Sequence, residues 1–125
     1  MKQEKEEFVY LSAYGTIKVG RGNNWVVQAE GNSYVGKGLT KNKYAMYKSG
    51  IPFLTKEPKT PIVVDVFKVA VKNLPRVDSL EGHPTFYKRE LVPVIVDEQE
   101  LNTWVYFIVN EERVKSLEFV STGNY

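Results

Sequence analysis

The chain has 125 residues, 42% hydrophobic, 26% charged and 13% aromatic, with a formal net charge of +2. Such a composition excludes a disordered chain and predicts one globular domain over 1–125, with room for one hydrophobic core and not two. There is no cysteine, and His83 is the sole histidine. Disulfides, thiolate nucleophiles, cysteine zinc sites and multi-histidine metal centres are therefore excluded, and any chemistry must use oxygen groups or the backbone. The start Met1-Lys2-Gln3-Glu4-Lys5-Glu6-Glu7 lacks the apolar run of a signal peptide, and no stretch approaches the roughly 18 apolar residues of a spanning helix. The expectation is a cytoplasmic location with no membrane partner; oligomeric state is left open.

Phe8-Val9-Tyr10-Leu11-Ser12-Ala13-Tyr14 is rich in strand formers and is broken by Gly15, so a buried strand is expected to run into a tight loop. Gly20, Gly22, Asn23 and Asn24 are turn residues, followed by Trp25-Val26-Val27. Two short strands bent at Gly36 and Gly38 are read across 33–47. Gly50, Pro52, Pro58 and Pro61 then suggest a loop. Ile62-Val63-Val64-Asp65-Val66-Phe67-Lys68-Val69, nearly all β-branched, is the clearest strand in the chain.

Asn73 is expected to cap a short helix carrying Pro75, with Leu74, Val77 and Leu80 on one face and Gly82 and Pro84 as the stop. Two strands, 91–96 and 101–109, should form a hairpin across Asp97-Glu98-Gln99-Glu100, with Pro93 at an edge or a bulge. A short alternation at Leu117 and Phe119 precedes a polar end, and both 1–6 and 121–125 are expected to fray.

Several motifs resemble chemistry without its geometry. Gly20-Arg21-Gly22-Asn23-Asn24-Trp25 begins as a dinucleotide fingerprint but has Trp25 where the third glycine is needed, and Gly36-Lys37-Gly38-Leu39-Thr40 lacks the phosphate-wrapping gap. No serine lies in a Gly-x-Ser-x-Gly elbow. Residues 37–59 hold six lysines against the single acid Glu57. Without an arginine cluster they read as a solvated sheet face in preference to an anion or nucleic-acid surface, and nucleic acid is not the expected partner.

Glu81 stands apart from the other acids. It follows Leu80 at a predicted helix end, with Phe86 and Tyr87 downstream. The negative end of the helix dipole and apolar neighbours would both raise its pKa, as general acid–base work near neutral pH requires. From position alone, an exposed helix-end glutamate fits as well.

Tyr14-Gly15-Thr16-Ile17-Lys18, then Gly20-Arg21-Gly22-Asn23, resembles the Tyr-Gly-Thr-Leu loop of the gamma-glutamylcyclotransferase-like family. Val77-Asp78-Ser79-Leu80-Glu81-Gly82-His83-Pro84-Thr85-Phe86-Tyr87-Lys88-Arg89 resembles that family's Leu-Asp-x-Leu-Glu-Gly-x-Pro-x-x-Tyr-x-Arg segment. Gly50-Ile51-Pro52 is similar to its Gly-Tyr-Pro turn, and Asp65-Val66-Phe67-Lys68-Val69 to its Glu-Val-Tyr-x-Val strand, in unbroken order from about Phe8 to Val109. Val64, His83 and Val77 replace the family's usual small, aromatic and leucine residues, and Val64 is expected to narrow the cavity.

The resemblance implies an α+β fold, a small mixed β-barrel or sheet with one or two short helices around a cavity. It further implies an acyltransferase-type enzyme that cyclises a small gamma-glutamyl amine or amino acid, releasing 5-oxoproline and the free amine. By position Glu81 is the acid–base residue, and the loop at Tyr14, Gly15, Thr16 and Ile17 binds the substrate's glutamyl end. Tyr87 is a pocket wall or hydrogen-bond donor, or equally a packing residue of the strand that follows, Arg89 a structural ion partner, and Tyr106 a core filler or further lining residue. The alternative is a non-catalytic ligand- or protein-binding module on the same fold.

Overall fold

The computed structural model describes residues 7–15, 17, 18 and 31–125. The glycine- and asparagine-rich segment at 20–24, Trp25-Val26-Val27, the first six residues and Thr16 lie outside them. Strands dominate: β1 (Phe8–Ala13), β2 (Ser33–Thr40), β3 (Tyr44–Ser49), β4 (Ile51–Thr60), β5 (Val63–Ala70), β6 (Tyr87–Val96), β7 (Gln99–Ile108) and the short β8 (Glu118–Phe119). Among the described residues one α-helix, α1 (Leu74–Glu81), bridges β5 and β6, preceded by a 3-10 turn at Val71–Asn73.

β1, β5, β2, β6 and β7 close into a barrel in that order. All neighbours are antiparallel except β1 and β7, which meet in parallel with Leu11 opposite Trp104. β4, β3 and β8 form a second sheet. The β-branched run that predicted β5 works as expected, because the pleat sends alternate side chains to opposite faces. Val64 and Val66 join one buried cluster with Val94 and Val105, while Phe67 and Val69 join another with Leu11, Val77 and Tyr106. The β6–β7 strands extend further than expected and leave a turn of two residues, Asp97 and Glu98, both at positive φ (48° and 65°). That geometry matches the right-handed twist of the flanking strands. Pro93 lies one residue past Val94, the last β6 residue paired with β2, as an edge position requires.

Three expectations are corrected. The proline-marked loop after Gly50 is the ten-residue strand β4. Prolines are tolerated there because β4 is an outer strand of its sheet, and Pro58 falls where the register jumps from Ala45↔Thr55 to Tyr44↔Thr60. Asn73 makes no side-chain cap; its amide donates instead to Asn32 Oδ1 at 3.0 Å, an oxygen that also accepts from the Ala70 N–H. Pro75 and Gly82 do punctuate α1 as read, Gly82 by adopting φ 68°. Finally, 121–125 do not fray. Val120 N–H donates to Met46 O, Val63 N–H donates to Gly123 O, and Tyr125 Oη donates to Gly50 O at 2.7 Å.

Candidate active site

A cavity of about 410 Å³ opens where the end of β1, the loop after it, the turn at 50–52 and the end of α1 converge. This lies within the roughly 300–1,000 Å³ usual for small-molecule sites. Glu81 lines it, and Tyr14, Gly15, Ile17 and Tyr87 line it from other elements. The two sequence segments that carry the resemblance therefore meet on one hollow, although more than fifty residues of chain separate them. Among the described lining residues Glu81 is the only one with a carboxyl group.

Glu81 ends α1 and is half-buried. Burial pushes its carboxyl from the ordinary 4.5 up to about 7, because a carboxylate loses hydration there. The sequence reading added the helix dipole as a cause; desolvation is the cause that the structure supports. Tyr14, Tyr87 and Tyr106 are all held protonated, first by burial, and the nearby Glu81 carboxylate opposes ionisation of each. Three phenols thus surround one acid.

Each phenol has a fixed acceptor. Tyr14 Oη donates to the Tyr106 carbonyl at 2.5 Å, Tyr87 Oη to the Pro52 carbonyl at 3.1 Å, and Tyr106 Oη to Asp78 Oδ1 at 2.5 Å. Tyr87 is therefore committed to bracing the wall at Pro52, and Tyr106 lines the cavity besides filling the core. Asp78 also accepts from Arg89 Nε at 2.8 Å, in a pair whose side chains are only 19% and 20% exposed. Arg89 is the structural ion partner expected of it, and its guanidinium stacks 4.4 Å from the Trp104 ring centre. His83, through Nδ1, accepts the Arg89 N–H at 3.3 Å, a structural use of the lone histidine.

The opposite wall is formed by the loop after β1 and the turn at 50–52. A side chain at Gly15 would place its Cβ 2.9 Å from Pro52 Cγ, so only glycine lets the loop lie this close to the 50–52 turn. Lys18 N–H donates to Gly15 O at 3.1 Å and folds the loop back on itself. Thr16, expected beside them, lies outside the described residues.

Sequence reasoning gave no site role to Asp78, Leu80 or Phe86. Asp78 had a readable signal, standing one helical turn before Glu81, but its partners Arg89 and Tyr106 come from β6 and β7. Leu80 and Phe86 line the cavity while 39% and 38% exposed, so Leu80, expected by its spacing on one helix face with Leu74 and Val77, is not buried with them. Val64 is fully buried in the core and is not among the described lining residues, so it does not narrow the cavity from its wall. Three of the six lysines of 37–59 are ion-paired: Lys41 with Glu100, Lys48 with Glu118 and Lys56 with Glu90.

Comparison with known proteins fits this geometry. Residues 11–125 match the family model described as "Gamma-glutamyl cyclotransferase, AIG2-like". A Methanocaldococcus jannaschii protein, provisionally named a gamma-glutamylcyclotransferase, is 40% identical over 100 residues, spanning 78% of this chain and 82% of the relative. A Drosophila melanogaster protein with the same provisional name is 31% identical over 106 residues, spanning 78% of this chain and 68% of the relative. The crystal structure of an AIG2-like protein from Mus musculus superimposes with a TM-score of 0.83 at 21% identity, over 94% of this chain and 88% of that one. The shared fold is accordingly the small α+β barrel.

Proposed function

The chain belongs to the gamma-glutamyl cyclotransferase, AIG2-like family, and from that premise we propose that it cyclises a small gamma-glutamyl amide to 5-oxoproline with Glu81 as general acid–base. The observation that carries this reading is the shared cavity: one desolvated carboxyl group faces a backbone loop closed tightly by Gly15.

In such a substrate the α-amino nitrogen attacks its own γ-carbonyl carbon. A carbon–nitrogen bond forms to close the five-membered lactam, and the carbon–nitrogen bond to the amine breaks. Holding the bent conformer supplies much of the acceleration, since nucleophile and carbonyl already belong to one molecule. Glu81 accepts a proton from the attacking nitrogen and delivers one to the leaving amine. A carboxyl group with a pKa of about 7 suits both tasks near neutrality. N–H groups of the loop through Gly15 and Ile17 receive the substrate carboxylate or the developing oxyanion. Tyr87 and Tyr14 shape the wall. No step uses a metal or cofactor.

The test is 5-oxoproline release from gamma-glutamyl amides of an alkylamine, an aromatic amine and an amino acid. Release by the wild type and its loss in a folded Glu81→Gln protein are expected. No release from any of the three, or full activity in Glu81→Gln, overturns the reading.

A further inference from the structure

The last residues of the chain touch both lips of the cavity. One lip is the loop after β1, where Ile17 lines the cavity and Lys18 follows it. Lys18 is only 5% exposed, and its ammonium donates to Asn124 Oδ1 at 2.9 Å and to the Tyr125 carbonyl at 3.1 Å. The other lip is the turn at 50–52, where Ile51 and Pro52 line the cavity. There the Tyr125 hydroxyl donates to the Gly50 carbonyl at 2.7 Å. A buried ammonium holds its position through its acceptors, so the loop's place depends on the segment that supplies them.

That segment is itself fixed to the sheets. Val120 is buried and its N–H bonds to Met46 O at 2.8 Å. Gly123 accepts from Val63 N–H at 2.8 Å and sits at φ 68°, where a Cβ would lie 2.1 Å from Pro61 O. No other residue fits there without moving the backbone. From this anchor at the base of β5, two residues reach both lips.

We propose that Asn124 and Tyr125 are positioning residues: they strap the 14–18 loop and the 50–52 turn to the barrel and so hold the backbone groups that receive the glutamyl end of the substrate. The placement of that end rests on the cyclotransferase reading; the strap itself rests on the contacts alone. Neither residue touches the reacting atoms. Loosening the strap should cost substrate affinity more than turnover, because the loop's amides bind the glutamyl end while Glu81 stands on another element, α1.

Amide hydrogen exchange and kinetics on Asn124→Ala/Tyr125→Phe, beside Asn124→Asp, test this in the full chain. In the double variant, exchange at the amides of Gly15, Ile17, Lys18, Gly50 and Ile51 should rise by about tenfold or more while the amides of β5 to β7 keep their protection. KM for a gamma-glutamyl amide that the wild type turns over should rise about tenfold with kcat within about threefold. Asn124→Asp, which keeps an acceptor oxygen for Lys18 and leaves the Tyr125 hydroxyl in place, should match the wild type in both. Unchanged exchange at the lips, or an equal rise throughout the barrel, overturns the strap. A wild type that releases no 5-oxoproline overturns the cyclotransferase reading instead, and the exchange measurement still judges the strap.

Discussion

The two walls of the cavity are built on different physical principles. The acidic wall, α1 with the adjoining parts of β6 and β7, is held by side chains: Asp78 gathers Arg89 and Tyr106, and Glu81 follows one helical turn later. The opposing wall depends on close approach of main chain, with Gly15 pressed on Pro52 and the loop closed by a backbone bond, and is tied to the barrel through Lys18, Asn124 and Tyr125. A wall made of side chains can tune charge, whereas one made of backbone offers N–H groups whose spacing depends on steric closeness. Substitutions should therefore break the first by removing a functional group and the second by adding atoms.

The largest effect should come from Glu81→Gln. It keeps shape and removes proton transfer, so the rate of 5-oxoproline release should fall roughly 10²–10⁴-fold. The same substitution reads out the burial of the acid through stability. Because the folded pKa is raised from 4.5 to about 7, the acid costs no stability below pH 4.5, where both states are protonated, and the wild type loses stability as pH rises from there through 7. Above pH 8, Glu81→Gln should therefore be the more stable protein, by up to roughly 3 kcal/mol, with the difference vanishing near pH 4. Denaturant midpoints at the two pH values measure it.

Asp78→Asn should be next. It leaves Arg89 poorly paired in a largely buried setting and should cost roughly 2 kcal/mol of stability, with a drop in kcat as Glu81 loses its anchored helix. Urea unfolding together with steady-state kinetics would separate the two effects. The smallest is Gly15→Ala, which should cost roughly 1 kcal/mol through overpacking and lower kcat/KM about tenfold. Adding Pro52→Ala should recover much of both losses if contact with Pro52 is the cause, a coupling that a double-mutant cycle detects. If Asp78→Asn and Gly15→Ala behave alike in kcat and KM, the contrast between the walls fails.

The parts of this molecule legible in the sequence were those in which local preference and tertiary role agree. The β-branched run of β5 is buried on both faces, and Gly82 takes the left-handed turn that ends α1. β4 was illegible because Pro52 and Pro58 are strand breakers unless a strand is an outer one, which depends on sheet order. The end of the chain looked frayed because its residues are polar, yet their partners Lys18, Gly50 and Val63 are far away in sequence. Glu81, Tyr14, Gly15, Ile17 and Tyr87 were read from ordered motifs, and all five line one cavity. Asp78 was missed since its partners Arg89 and Tyr106 reach it only once β6, β7 and α1 are assembled.

The barrel's closure has a kinetic consequence. β1 pairs with β5, some sixty positions along, and meets β7 at Leu11↔Trp104. Contacts so distant in sequence must wait for long loops to close, which slows folding of strand-rich domains to the range of milliseconds to seconds. During synthesis the residues of the loop emerge early and those of β7 late, so the two walls cannot face one another until nearly all of the chain is available.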